Sequence, residues 1–227
     1  MSTEAFVIAL DGPAASGKST VGIGAASQLG LRYFDSGLLY RALTWLALAR
    51  AIDLDDPGAL SQLVDDLGVD VDEVGQVWRD GTNVTPRLQS AEVDSSVSTV
   101  AAHPVVRASL VPVQRALVHP PGLVMAGRDI GTVIVPDAPL KIWLNAGQEE
   151  RARRRAQQTG EDFQTVLQGM RQRDHLDSSR AAAPMVRADD AVVVDTDDVP
   201  PAQVIARIVE LAHARGAVSS GRLSGHA

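Results

Sequence analysis

Gly12, Gly17, Lys18 and Ser19, in the stretch LDGPAASGKST, satisfy the spacing GxxxxGK[ST]. The chemistry of that spacing is phosphate binding. Backbone N–H groups of the loop and of a following helix N-terminus converge on phosphate oxygens, the lysine reaches the β and γ phosphates, and the Ser19 hydroxyl is placed to ligate Mg²⁺. The candidate loop comprises Gly12, Pro13, Ala14, Ala15, Ser16, Gly17, Lys18, Ser19 and Thr20, and it calls for ATP. Lys18 stands out against its background: of 21 basic residues only Lys18 and Lys141 are lysine, leaving 19 arginines. The bland alternative is a glycine-containing turn followed by a chance Lys-Ser.

Such a loop does not name an acceptor. A regulatory GTPase would need Asn-Lys-x-Asp to read its base, and neither lysine is preceded by Asn or Thr. The protein-kinase motif set is also absent. A small-molecule kinase, another phosphohydrolase and a noncatalytic nucleotide switch remain. Phosphoryl transfer must screen two phosphates brought together, and so needs cations from several elements. Candidates are Arg41 in DSGLLYRA, Arg107 in HPVVRA, Arg128 in AGRDIGT, the run Arg151 to Arg155, and Arg173 and Arg180 in RDHLDSSR. Each has a plainer explanation. EERARRR makes a solvated helix with Glu149–Arg153 and Glu150–Arg154 pairs, and Arg173, Asp177 and Arg180 make helix-surface pairs.

The elements that must position these residues follow from periodicity. Ala5 to Leu10 reads as a strand, Ser19 to Leu29 as a helix closed by Gly30, Leu31 to Phe34 as a second strand, and the apolar run after Asp35 as a long helix capped by Ser36. This βαβα opening predicts a parallel sheet. Pro57 to about Leu67 is a helix. Asp80-Gly81 between β-prone residues then signals a hairpin in a small inserted lobe at about 67–85. Helical spacing returns over 88–102 and from Pro104 to about Val118, where Pro112 is expected to kink or break it. GLVMAG and LKIWLN are candidate central strands. Charge-rich helices follow at 148–158 and from Asp162 to about Leu176, AVVVD closes the sheet, and a last helix starts at Pro201.

The 227 residues suffice for one core carrying a small insert. No stretch is apolar enough to span a bilayer, and the start of the chain lacks a secretory pattern, so no membrane partner is expected and a cytoplasmic location is. There is no cysteine, and five histidines are too scattered for a metal cluster. A net charge of -7 argues against a nucleic-acid polymer as partner. A monomer is the default expectation.

LDGPAASGKST, YFDSGLLYRA, AEVDSSVSTVAAHPVVR, AGRDIGTVIVPDAPLKIWLNA and RDHLDSSRAAAPM resemble, in sequence and order, the motifs of bacterial cytidylate (CMP/dCMP) kinase, within the P-loop nucleoside monophosphate kinases. The resemblance runs from about Phe6 to Ala214. It implies a three-layer α/β/α fold with a mostly parallel central sheet, a small insert lobe that binds the nucleoside monophosphate, and a lid at about 148–160. Residues 1–215 would be a single domain and 216–227 a disordered tail. Function would be transfer of the γ-phosphate of ATP to CMP or dCMP, with Mg²⁺, in pyrimidine nucleotide metabolism.

Carried over by position, the resemblance gives Ser36, Arg107, Asp129 and Arg180 to the pyrimidine base, and Ser98, Arg173 and Asp177 to the sugar. Arg41 and Arg128 would grip the CMP phosphate with help from Lys18. Arg151, Arg154 and Arg155 would belong to a lid that closes over ATP. Two departures stand out. The family usually has glycine at Ala15 and alanine at Leu38. Alanine suits most loop conformations unless φ is positive there, so ATP binding is expected to survive, while Leu38 is expected to narrow the acceptor side.

Overall fold

A computed structural model describes residues 5–180 and 182–217 of the chain. The opening is β1 (Phe6–Asp11), α1 (Lys18–Leu29), β2 (Arg32–Asp35) and α2 (Gly37–Ala49). After α3 (Pro57–Leu63), three short strands, β3 (Val69–Val71), β4 (Val77–Arg79) and β5 (Thr82–Asn83), form an antiparallel sheet of their own. Asp80 and Gly81 both take positive φ, 49° and 72°, the backbone of the tight hairpin turn their sequence calls for.

Helices α4 (Ala91–Ala102) and α5 (Pro104–Ala116) lead to β6 (Gly122–Gly127), and β7 (Leu140–Asn145) follows. The chain ends with α6 (Gln148–Thr159), α7 (Phe163–Ser179), β8 (Val192–Asp195) and α8 (Pro201–Ala214). The main sheet has the order β2-β6-β1-β7-β8, and every pairing in it is parallel.

Alternation along β1 divides the core. Val7 and Ala9 point into an apolar cluster with Leu39 and Leu43 of α2 and Val106 and Leu110 of α5. Ile8 and Leu10 point the other way, onto Val21 and Ala25 of α1 and Val204 and Ile208 of α8. Both faces of the sheet are therefore covered, giving the three layers expected of a parallel α/β fold. A smaller cluster, Ala152 of α6 with Val166, Leu167 and Met170 of α7, packs against Ala14 and Ala15. The α6–α7 pair thus sits on the loop between β1 and α1.

Several expectations need correction. Helix α5 runs through Pro112 without breaking. Pro112 and Ala108, whose carbonyl loses its helical donor, both face solvent, where water can serve that carbonyl. Helix α3 ends at Leu63, short of Leu67, and continues only as turns. Of the tail, Gly216 and Ala217 still close α8: the Ala217 N–H donates to the Ala212 carbonyl and its side chain is buried. Positions 218–227 lie outside the described residues. Among those described, no helix is long and apolar enough to cross a membrane.

Candidate active site

Parallel pairing sets Asp11 opposite both Gly127 and Trp143, and Asp35 opposite Ala126. The C-terminal ends of β1, β2 and β6 therefore open onto one edge of the sheet, the usual place for a ligand in such folds. The GxxxxGK[ST] loop leaves β1 there. A Cβ at Gly12 would lie 2.5 Å from the Leu144 carbonyl oxygen, so only glycine lets the loop pass β7 this closely. Gly17, at φ 95°, turns the chain into α1, and Lys18 is the first residue of the helix. Ser19 and Thr20 are exposed in that first turn.

The Lys18 Nζ donates to the carbonyls of Gly12 and Pro13 at 2.8 and 2.7 Å. Among the described residues no carboxylate lies within ion-pair distance of it. Burial, and then the Arg128 charge, pushes its ammonium down to about 7. A cation held only by carbonyls is one that an added anion stabilises strongly. Ala15 takes φ 56°. That is the condition under which alanine is a poor substitute for glycine, so this departure costs the loop roughly 1 kcal/mol of strain. Leu38 packs against the core cluster of α2 and α5.

Arg128 reaches the same point as Lys18 from the other side. Its Nη1 lies 3.3 Å from the Gly12 carbonyl and 3.7 Å from Met185 Sδ, while its Nε lies 3.2 Å from Asp177. Asp177 also takes Arg180, and both side chains are largely buried. The Arg180 guanidinium is pulled below its usual range by burial, with Asp177 opposing. Arg173, one turn before Asp177 on α7, is lowered by burial and then by Arg128. This trio is an interior cluster, not the solvated helix surface of the plainer reading.

A second buried pair lies beside it. Arg107 of α5 donates to Asp129 at 2.5 Å, with side-chain exposures of 6% and 7%, and its Cζ stands 5.1 Å from the centre of the Tyr40 ring. Burial opposes the Arg107 charge, but Tyr40 and Asp129 more than offset it and raise its pKa. Ser36 comes close to the same loop. A Cβ on Gly127 would fall 2.6 Å from Ser36 Oγ, so glycine makes room for that hydroxyl. Ser36 does not cap α2 with its side chain as expected. The Asp35 carboxylate accepts the Gly37 N–H at 2.9 Å instead.

The basic run divides by direction. Arg151 is buried and donates to the carbonyls of Ala146 and Ala14 and to Asp174 at 2.6 Å. Arg154 binds Glu150 at 2.9 Å and both oxygens of Thr196, whose hydroxyl donates to the Ser16 carbonyl at 3.2 Å. Arg153 pairs with Glu150, where Glu149 was the expected partner. Arg155 reaches across to Asp94 of α4 at 3.7 Å, and Asp94 also takes Arg41 at 2.6 Å. Arg41 further donates to the Leu88 carbonyl at 2.9 Å. Ser98 lies one turn beyond Asp94, partly buried.

Three residues at this edge escaped the sequence reading: Asp11, Asp94 and Thr196. Thr196 lies in none of the motifs, and Asp94 lies within AEVDSSVSTVAAHPVVR but was given no role there. Asp11 did have a signal, a carboxylate ending an apolar strand immediately before the loop.

A family model described as cytidylate kinase matches residues 8–214. The cytidylate kinase of Mycobacterium leprae is 43% identical over 220 residues, covering 94% of this chain and 98% of that protein. That of a Geobacillus species is 44% identical over 216 residues, covering 92% and 96%. Among solved structures, an uncharacterized protein from Eubacterium ventriosum aligns with a TM-score of 0.51 at 12% identity, covering 92% of this chain and 99% of its own, a likeness of fold alone.

Proposed function

The chain belongs to the cytidylate kinase family, and from that premise we propose that it transfers the γ-phosphate of ATP to CMP or dCMP, giving ADP and CDP or dCDP. One observation carries the reading beyond family membership. Lys18 of the phosphate loop and Arg128 of the β6 loop meet on a single carbonyl, that of Gly12, at 2.8 and 3.3 Å. A lysine suited to a donor phosphate and an arginine suited to an acceptor phosphate are thus adjacent, which is the juxtaposition transfer requires.

Loop residues 12–20 cradle the ATP phosphates, and Arg151, Arg154 and Arg155 approach from α6 as the lid. Arg41 and Arg128 hold the CMP phosphate, while Ser98, Arg173 and Asp177 meet the sugar. Ser36, Arg107, Asp129 and Arg180 face the base. Cytosine offers an N4 donor beside N3 and O2 acceptors, so a carboxylate accepts from N4 while an arginine donates to N3 and O2. Uracil presents O4 and N3–H instead, which sets an acceptor against Asp129 and costs about 1 to 3 kcal/mol.

No general base is required, because the acceptor phosphate is already an anionic nucleophile. The arginines screen its charge as it nears the γ-phosphate, and a closed lid keeps water from taking its place. The exposed Ser19 hydroxyl, directly after Lys18, fits Mg²⁺, which needs one or two protein oxygens and takes its remaining ligands from phosphates and water. When bound it would neutralise charge on the β and γ phosphates. Small nucleotides as the sole partners, a monomer, a place in cytoplasmic pyrimidine metabolism, and a single domain with lobe and lid complete the reading.

A coupled ADP-release assay tests it, with ATP, Mg²⁺ and, separately, CMP, dCMP, UMP, AMP, GMP and shikimate. Turnover confined to CMP and dCMP with weak UMP is expected. ATP binding without turnover on any acceptor would instead indicate a nucleotide switch.

A further inference from the structure

Asp11 is 6% exposed at the end of β1, and its two carboxylate oxygens each accept one backbone N–H, from Ile130 at 2.9 Å and from Gly131 at 2.8 Å. Those N–H groups open a wide helical turn over Ile130–Ile134 that begins directly after Asp129. At the start of such a turn the N–H groups have no partner within the turn itself. Asp11 supplies both partners from a different strand. Its neighbours in sequence and in space are the two halves of the site: Gly12 begins the phosphate loop, and Gly127, opposite Asp11 in the sheet, leads into Arg128 and Asp129.

We propose that Asp11 is a positioning residue for base reading, whose carboxylate fixes the register of the Arg128–Asp129 loop through two backbone N–H groups and so sets the preference for cytosine over uracil. It touches no substrate and acts through Asp129. This inference rests on the cytidylate kinase reading of the same site.

The chemistry calls for a carboxylate. Two adjacent N–H donors need two acceptor oxygens on one rigid group, whereas a carboxamide would turn an N–H₂ against one of them. The turn is also pressed onto Asp11. A Cβ at Gly131 would stand 3.1 Å from the Lys141 stem and 3.4 Å from Asp11 Oδ2, and the Ile130 side chain is fully buried. The charged groups facing Asp11 are Asp129 from the β6 loop, Lys18 from α1 and Lys141 from β7, whose ammonium is engaged by Asp190. Burial, against the two N–H bonds, pushes the Asp11 carboxyl up to about 6. Among the described residues Asp11 has no direct ion pair, which makes its buried carboxylate costly, and here it serves two N–H groups beside Asp129.

The test is the ratio of kcat/KM for CMP to that for UMP in the unsubstituted enzyme and in Asp11→Asn at about pH 8, with the KM for ATP measured alongside. Asp11→Asn is expected to lower the ratio about tenfold, the scale of one mispaired polar group, chiefly through the KM for CMP and with the KM for ATP nearly unchanged. A purely structural role would depress both nucleotides equally, and an unchanged ratio overturns the proposal. If the unsubstituted enzyme turns over CMP and UMP alike, the base-reading role of Asp129 on which the proposal rests has failed; if it turns over neither, the kinase reading itself has failed. Should Asp11→Asn not fold, the same ratio is followed in the unsubstituted enzyme as pH falls from about 8 to about 6, the point at which Asp11 is half protonated. Over that range the CMP and UMP phosphates titrate alike and cancel, and cytosine N3 is still unprotonated, so the ratio should fall as Asp11 takes up a proton, and a flat ratio overturns the proposal.

Discussion

Arg107 and Asp129 form an ion pair at 2.5 Å that is almost closed to solvent, with the face of Tyr40 against the guanidinium. A pair buried this far gains little for stability as a whole, yet losing one member strands the other charge. Asp129→Ala is therefore expected to cost both function and stability. The kcat/KM for CMP should fall at least about a hundredfold, ATP affinity should change less than about threefold, and thermal stability should drop by an amount on the order of 3 kcal/mol. Steady-state kinetics with both substrates and a thermal melt would check it. Equal loss of CMP and ATP binding would refute the base-reading role.

Lys18 makes the phosphate loop sensitive to pH. With its ammonium lowered to about 7, the folded, ligand-free chain binds fewer protons than the unfolded chain between about 7 and its ordinary 10.5. Stability of the ligand-free protein should therefore rise with pH across that window. A phosphate anion favours the charged amine and reverses the shift, so ATP binding should take up a proton, and ATP affinity should weaken as pH rises above about 7. Calorimetry in buffers of different ionisation enthalpy measures the uptake directly. Lys18→Ala should abolish both the uptake and the transfer, and near-normal turnover in that variant would sink the loop assignment.

Ala15 carries a left-handed backbone, φ 56°, in a loop that packs on the α6–α7 pair. Ala15→Gly removes a Cβ penalty of about 1 kcal/mol and should raise the melting temperature by roughly 2 to 4 °C. ATP affinity should change less than about twofold, because the loop already holds that shape. A lower melting temperature would mean that the Ala15 methyl contributes more by packing than its conformation costs.

The sheet was readable because its strands are short apolar runs bounded by Gly, Pro and Asp, and the loop because its glycines obey a spacing that steric necessity enforces at Gly12. At Pro112 the sequence left a kink and a break both open, because periodicity does not tell which face meets water, and the helix does not break there. Ser36 misled for a related reason: its residue type suits a cap, but its hydroxyl makes no cap bond, the neighbouring Asp35 instead holds the first N–H of the helix, and only the packing against Gly127 shows where the hydroxyl lies. The partners of the arginines were the least legible part. Arg107 meets Asp129 across 22 residues, and Arg155 meets Asp94 across α6 and α4. Pairings of that kind are fixed by the tertiary fold and leave no local pattern.

That same fold separates Arg151 from Arg155, which EERARRR presents as equivalents. Arg151 is 4% exposed, with Asp174 at 13%, and ties α6 to α7 and to the Ala14 carbonyl of the phosphate loop. Arg155 is 45% exposed and reaches Asp94 only at 3.7 Å. Arg151→Ala leaves Asp174 uncompensated and should cost on the order of 3 kcal/mol, or roughly 6 to 12 °C in melting temperature. Arg155→Ala should fall within about 0.5 kcal/mol of the unsubstituted protein. The double variant Arg151→Ala with Asp174→Ala should recover part of the loss, since no buried charge is then stranded. Melts of the four proteins decide the matter. If the double variant is no better than Arg151→Ala alone, the arginine acts through the Ala146 and Ala14 carbonyls and not through its ion pair.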